Sequence, residues 1–502
     1  MRKISRTSNR RASRRPPASG CKPSSRLTSR DVATSAEALL DYHRQFQPFF
    51  QRREQRDWSL LYLCGQLSNL ERKTIEPMML GLSGPDPNAI RGMQQFIGQG
   101  EWVTPPIVKH AQGLVAEWLG DPEGVVIVDG SGFPKQGSHS VGVARQYCGH
   151  LGKVANCQQG VFLVYASRHG YAFLDERLYV PESWFGDDDR DRWQACGIPD
   201  TLSFQTEPAL GLEMLTELRQ RATVPFRWVT CDEKYGENPA FLDGIAALGK
   251  WYLAEVAADT RVWLRAPSVE MPGRGLLGRP RIHPRVKRTA PRPLAMRELL
   301  TQLPRTLWQR RVIKEGSQGP LLAEFAFVRV TPIRDELPGP RCWAIFRRTL
   351  GRQPEVKFYL SNASVSCPPH ELVRVSGLRW PVETALEEAK GEGGMDHYET
   401  RTWLGWHHHM THSILAHLFL IRLRLLFQKK SGADYRPGAP TDCPGHRRRC
   451  DALTRHAGDP ALSPTPELCG VLFASPADTC AAKPTASKTA QRQSLVVITE
   501  VS

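Results

Sequence analysis

The stretch from Glu123 to Ala258 constrains the fold most. "EGVVIVDGSGFPKQG" reads as a buried strand that stops at Asp129 and opens into a glycine-rich turn. "QGVFLVYAS" and "YAFLDERLYV" follow as strand candidates, and "ALGLEMLTELRQRA" has helical spacing. Then come "FRWVTCDEKYG", a strand ending at Asp232, a helix in "NPAFLDGIAALG" and a strand in "KWYLAEVA". Three adjacent strands followed by helix, strand, helix and strand predict an α/β sheet rather than a sandwich.

The flanks differ. Residues 1–34, rich in Arg, Ser and Pro, are expected to form a disordered basic arm. In 35–119, "SAEALLDYHRQFQPFF", "DWSLLYLCGQLSNL" and "IVKHAQGLVAEWLG" place apolar residues three and four apart, so this span is expected to be a compact helical domain. The α/β pattern of 120–260 lapses into 261–365, where basic, proline-rich loops alternate with the strands "LLAEFAFVRVTPI", "CWAIFRRTL" and "VKFYLSN". That span is expected to be a β-rich insertion. Helical spacing returns over 366–430, and 431–502 reads as a mostly disordered tail.

A formal charge of +16 and a sequence pI near 9.5 make a polyanion, above all nucleic acid, the first partner to expect. No apolar run is read as approaching the roughly 20 residues that a bilayer requires, and the arginine-rich start lacks the apolar core of a signal peptide. The expected location is therefore cytoplasmic, with no membrane partner. The 12 cysteines contain no CxxC pair and suit reduced thiols.

Asp129 and Asp232 share a context, each closing an apolar strand beside a turn. Carboxylates at adjacent strand ends can converge on hard cations, and two Mg²⁺ ions can clamp the attacking and leaving oxygens of a phosphoryl transfer. An aspartate at a strand end is more often a turn former or helix cap, so a third acid is needed. "LRWPVETALEEAKGEGGMDHYETR" supplies one. A helix starting near Pro381 puts Glu383, Glu387 and Lys390 on one side and turns Glu388 away, with Val382, Leu386 and Ala389 as the docking stripe. Taken alone, that segment reads as an exposed helix of i,i+4 ion pairs.

Together, "VDGSGFPKQG", "CDEKYGENPAFL" and "RWPVE...EEAKGEGGMDHYETRTWLGWHHH" resemble the DDE transposases of bacterial insertion sequences, in the cut-and-paste group with a β-rich insertion before the last acid. The resemblance spans roughly Val125 to Phe427. That group carries a Tyr, Arg, Glu, Lys motif, and Arg379, Glu383 and Lys390 fall at its last three spacings; Ser376 stands at the tyrosine position. The resemblance implies an α/β, RNase H-like catalytic core interrupted by the insertion and preceded by the helical domain. It implies a triad of Asp129, Asp232 and Glu383 holding two Mg²⁺ ions, with Mn²⁺ able to substitute, and Glu387 as the rival third acid. It also implies that Arg379 and Lys390 hold phosphates at the element ends. The implied partners are double-stranded DNA, as element ends and target, and a second copy of the chain in the DNA complex.

Other features carry less. The "GSG" after Asp129 lacks a full GxGxxG or P-loop pattern. His408 and His412 are four apart in "WHHHMTHSILAH" but lack the HExxH glutamate, so a core or DNA-facing helix is expected instead of a zinc site. "CPGHRRRC", Cys443 to Cys450, is a weaker metal hint. Trp263, Trp308 and Trp343 are expected to be core residues individually. The leading function is an element-end transposase. The alternatives are an element-derived DNA-binding protein with impaired chemistry and an RNase H-like nuclease without strand transfer.

Overall fold

The computed structural model describes residues 29–273, 282–316 and 319–431. The arm before Ser29, the tail beyond Ser431 and the Cys443–Cys450 hint lie outside the described residues. Five helices open the described chain: α1 (Ser29–Arg44), α2 (Arg53–Leu67), α3 (Ile75–Ser83), α4 (Pro87–Gln99) and α5 (Thr104–Leu119). The first begins inside the span expected to be an arm. Neither α3 nor α4 was among the expected helices. Asp86 starts α4 by accepting from the Asn88 amide at 2.9 Å, followed by a proline in the first turn.

The middle of the chain is mixed. β1 (Val125–Pro134), β2 (Ala144–Cys148), β3 (Lys153–Ser167) and β4 (Gly170–Tyr179) precede α6 (Arg190–Ala195) and α7 (Glu207–Arg221). β5 (Trp228–Cys231), α8 (Glu233–Gly236), α9 (Pro239–Ala247) and β6 (Trp251–Val256) follow. Next come β7 (Arg261–Trp263), β8 (Val269–Glu270), β9 (Arg285–Val286), β10 (Leu294–Ala295) and α10 (Met296–Gln302), then β11 (Gln309–Gly316), β12 (Gly319–Arg334), β13 (Leu337–Pro338), β14 (Cys342–Thr349) and β15 (Val356–Ser361). Three helices end the described chain: α11 (Pro369–Gly377), α12 (Trp380–Gly391) and α13 (Trp403–Ser431).

Among the described residues the principal sheet runs β10-β7-β12-β14-β15-β6-β5-β1-β3-β2, with β4 on β3 and β11 and β13 on β12. β1, β5 and β6 are parallel neighbours, and β1 pairs antiparallel with β3. β15 pairs with β6, so the strands expected in an insertion extend the same sheet.

β1 does not stop at Asp129. It continues to Pro134, with Asp129 opposite Phe162 and Pro134 opposite Cys157 on β3. Gly130 and Gly132 lie within the strand, at positions where a side chain would be crowded. A Cβ at Gly130 would lie 3.0 Å from the Glu207 carboxylate, and one at Gly132 would lie 2.8 Å from the Cys148 sulfur. Glycine read as a turn signal was here a packing requirement.

α13 is the axis of the helical layer. It packs on α2, α4, α5 and β4, and its apolar residues belong to one continuous core with the sheet. Tyr42 donates to the Leu415 carbonyl at 2.9 Å, Gln66 to the Ser413 hydroxyl at 2.9 Å, and Ser59 bonds His412 Nε2 at 3.1 Å. By length and composition the Trp403–Phe427 stretch is apolar enough to cross a bilayer, which corrects the expectation that no such run exists. Most of it is buried within the protein.

Candidate active site

The register of β1 on β5 sets the site. The last parallel pair is Val128 with Cys231, so Asp129 and Asp232 each stand one position beyond it on neighbouring strands. Asp232 is also the N-cap of α8, accepting from the Tyr235 amide at 3.4 Å. The helix-cap role and the site position coincide in one residue. α12 crosses nearby, started by Pro381 in its first turn and docked through buried Val382, Ala385, Leu386 and Ala389.

Arg379, immediately before α12, lies among the acids. Its guanidinium is 3.8 Å from Asp129, 3.6 Å from Glu255 and 2.5 Å from Glu383. Burial disfavours its charge, yet the attraction of Glu383, Asp129 and Glu255 prevails and raises its pKa. Lys390, at the other end of α12, donates to the Ser131 hydroxyl at 2.9 Å and lies over the Phe133 ring. Burial lowers its pKa.

The two aspartates are poised differently from exposed carboxylates. Burial, then the nearby Asp232 charge, pushes Asp129 up to about 7, against the pull of Arg379 and of the Gly130 amide. Asp232 is raised too, chiefly by burial, with the Tyr235 amide, Arg379 and Lys234 opposing. Two half-buried carboxylates suit a hard divalent cation, whose field would favour both ionised forms.

The third acid is less settled in place. Glu383 is close enough to act electrostatically on Asp129, but its carboxylate is engaged by Arg379 and its side chain is 41% exposed. Among the described residues no group of three or more His, Cys, Asp or Glu side chains is arranged to hold a metal ion. Asp129 and Asp232 are the residues that could hold a cation here, and Glu383 is instead paired with Arg379. Glu387, the rival, is exposed. Glu388 does not turn away to solvent: it accepts from Tyr171 and Arg424 at 2.8 Å each and pairs with His417 at 3.2 Å.

Sequence reasoning missed Glu255, which pairs with Lys357 at 2.8 Å as well as with Arg379. Its signal was a lone glutamate in the apolar run "WYLAEV" of β6, next to β5. Glu207, buried at the start of α7 and paired with Lys234, was missed as well. Ser376 is buried in α11 and donates to the Val373 carbonyl at 2.7 Å, a local helix contact.

The other candidates resolve into packing. His408 faces the Ile97 and Trp102 carbonyls, both at 2.9 Å, and His412 is fully buried, so the helix lies in the core. Trp263 is buried and donates to Pro291. Trp308 and Trp343 carry the guanidiniums of Arg348 and Arg329 over their rings. Trp380, not singled out from the sequence, is 58% exposed beside Arg379.

The sequence is similar to those of proteins already known. A probable transposase for insertion sequence element IS701 from Microchaete diplosiphon is 24% identical over 332 residues, covering 66% of this chain and 73% of that one. The NurA nuclease from Sulfolobus solfataricus aligns over 65% of this chain and 91% of its own at 11% identity, with a TM-score of 0.25, too low to compare sites. The profile of the DDE superfamily endonucleases matches residues 45–320, which include Asp129 and Asp232 and stop short of Arg379, Glu383 and Lys390. That match spans more than half of the sequence, and the chain belongs to the DDE superfamily endonuclease family.

Proposed function

We propose that the chain is an insertion-sequence transposase that binds the ends of its element, cleaves them and joins the 3′ ends to target DNA. The observation that carries this reading is the pair Asp129 and Asp232 on adjacent parallel strands, faced by a helix that presents Arg379, Glu383 and Lys390. The order β4-β3-β1-β5-β6, antiparallel for the first three strands and parallel for the last three, supports an RNase H-like core.

In this reading Asp129 and Asp232 hold divalent metal, Mg²⁺ or Mn²⁺, with Glu383 as the third ligand. Bound metal ions stabilise charge on the attacking and leaving oxygens of an in-line displacement at phosphorus. The chain's own part is to hold the acids in a buried site and to neutralise phosphates. Arg379 and Lys390 bind backbone oxygens, and a phosphate that takes the Arg379 guanidinium releases Glu383. Water attacks first, breaking the bond from phosphorus to the 3′ oxygen, and the freed 3′ hydroxyl then attacks a target phosphorus, displacing the 3′ oxygen of the target strand. A second copy brings the other end. Helices in 35–119 are assigned the reading of end sequence, because phosphate contacts alone carry little base information.

The test is incubation of the full chain with Mg²⁺ and the DNA that flanks its reading frame. End-specific nicks and joined strand-transfer products are expected. Cleavage without joining would assign a hydrolytic nuclease instead, and binding without cleavage an impaired element-derived protein.

A further inference from the structure

Successive positions of β1 face opposite sides of the sheet. Asp129 and Ser131 face α12, where Arg379 and Lys390 reach them. Val128 and Gly130 face α7 instead. A Cβ on Gly211 of α7 would lie 2.8 Å from Val128, and one on Gly130 would lie 3.0 Å from the Glu207 carboxylate. The edge that carries Asp129 is thus flanked by α12 on one face and by α7 on the other.

The α7 face also has its cation. Lys234, two residues after Asp232 in α8, sets its ammonium on the Glu207 carboxylate. Glu207 is buried, whereas the Lys234 side chain is 52% exposed. Burying a carboxylate is costly unless a partner compensates it, and an apolar side chain could fill the same space without that cost. What the acid does here is hold one ammonium at the rim of the site. Lys234 is close enough to Asp232 for its charge to favour the ionised carboxyl. An ammonium has three N–H donors, so the contact with Glu207 leaves others for a ligand arriving from solvent.

The setting selects that ligand. A nucleic-acid backbone laid over the Asp129 and Asp232 edge, from one face of the sheet to the other, places a phosphate on each side of the reacting one. Arg379 and Lys390 serve the α12 side. On the α7 side Lys234 offers a compact point charge of the kind that binds phosphate.

We propose that Lys234 is a third phosphate-binding residue of the cleavage site, positioned by Glu207, and that it contacts the backbone phosphate flanking the scissile one on the side away from Arg379 and Lys390. This rests on the transposase reading above. The test uses the full chain and the duplex that flanks its reading frame, with single phosphates around the cut replaced in turn by uncharged methylphosphonates. Duplex affinity across a salt series and single-turnover cleavage in Mg²⁺ are measured for wild type, Lys234→Gln, Lys234→Arg and a Glu207→Gln, Lys234→Gln double variant. The double variant leaves no buried acid unpaired, and melts check that it folds. In wild type, one flanking methylphosphonate is expected to lower cleavage about ten-fold. Both glutamine variants are expected to lose about as much on unmodified duplex, and the methylphosphonate at that one position then to cost them less than about two-fold more. Their slope of log affinity against log salt should be shallower by about 1, and Lys234→Arg should cleave within about three-fold of wild type.

Methylphosphonates that cost the glutamine variants as much at every position as they cost wild type overturn the contact, because the Lys234 pair with Glu207 is then only structural. Glutamine variants that cleave and bind as wild type does overturn it equally. In both cases wild-type cleavage that Asp129→Asn abolishes leaves the transposase reading standing. A wild type that does not cut the flanking duplex removes that reading and the Lys234 contact together.

Discussion

Asp129 is a carboxyl whose burial outweighs the guanidinium beside it, and its substitution separates chemistry from binding. Asp129→Asn removes a proposed metal ligand while leaving Arg379 and Lys390 in place. Cleavage is expected to fall by about 10³-fold or more, with duplex affinity changed by less than about three-fold. Gel shifts and cleavage run on one preparation check this, and retained cleavage takes Asp129 out of the mechanism. The same variant has a pH signature in EDTA. With Asp129 at about 7 when folded and about 4 when unfolded, the folded protein holds a proton that the unfolded chain has released across that window. The Asp129 contribution to stability therefore declines as pH rises from about 4 to about 7, so the stability of the asparagine variant relative to wild type should increase across that window in denaturant melts. Parallel curves for the two proteins would contradict the raised pKa.

α12 is held on both sides, by Lys390 on the strand of Asp129 and by Glu388 on α13 and β4. Glu388 accepts from Tyr171 and Arg424 and pairs with His417, and these partners outweigh burial and hold its carboxyl down to about 2. Glu388→Gln leaves Arg424 buried without its counter-charge, which is expected to cost about 3 kcal/mol in urea melts. It should also lower cleavage by loosening the helix that carries Glu383. A loss under about 1 kcal/mol would mean that the pair is effectively solvated. α13 makes a second prediction. Burial lowers His407, His409 and His412 to about 3 and His408 to about 4, so all four are neutral when folded. Each takes up a proton near pH 6.5 once unfolded. Stability is thus fully present above about pH 6.5 and is lost as pH falls toward the folded values, by up to about 1.4 kcal/mol per pH unit for each histidine. Melts that are flat between about pH 6.5 and about pH 4.5 would show that the rings charge within the fold.

Over the whole molecule the helical layer and the sheet share α13, so the N-terminal helices are not a detachable reader. A chain starting at Gly120 would uncover Leu415, Ser413, His412 and their apolar neighbours, which α1, α2, α4 and α5 now cover. Such a truncation is expected to be recovered insoluble, or to lose its cooperative melt. Expression, solubility and a circular-dichroism melt check this. A truncated chain that is soluble and melts cooperatively would show that the core survives without its helical cover. End recognition is therefore better tested by exposed point variants in 35–119 than by removing the span.

The sequence alone determined what depends on local spacing. Period-two and period-3.6 patterns located β1, β3–β6, β12, β14 and β15 and most helices but not β2, β7–β11 or β13, and the offsets among Arg379, Glu383 and Lys390 marked one helix as unusual. They did so because a side chain's face is set by its own strand or helix. The tertiary structure decided everything that depends on which strand lies next to which. The β1–β5 register set Asp129 beside Asp232, and the β6 neighbour brought in Glu255. Pairing with β3 kept β1 running through Gly130 and Gly132, where glycine read as a turn, and the path into α12 placed the Arg379 guanidinium against Asp129 and Glu383. Burial, which no single residue type encodes, raised Asp129 and put the His408–His412 run in the core instead of facing DNA. Spacing along the chain fixes what a residue can face, and only the packed sheet and helices fix what it meets.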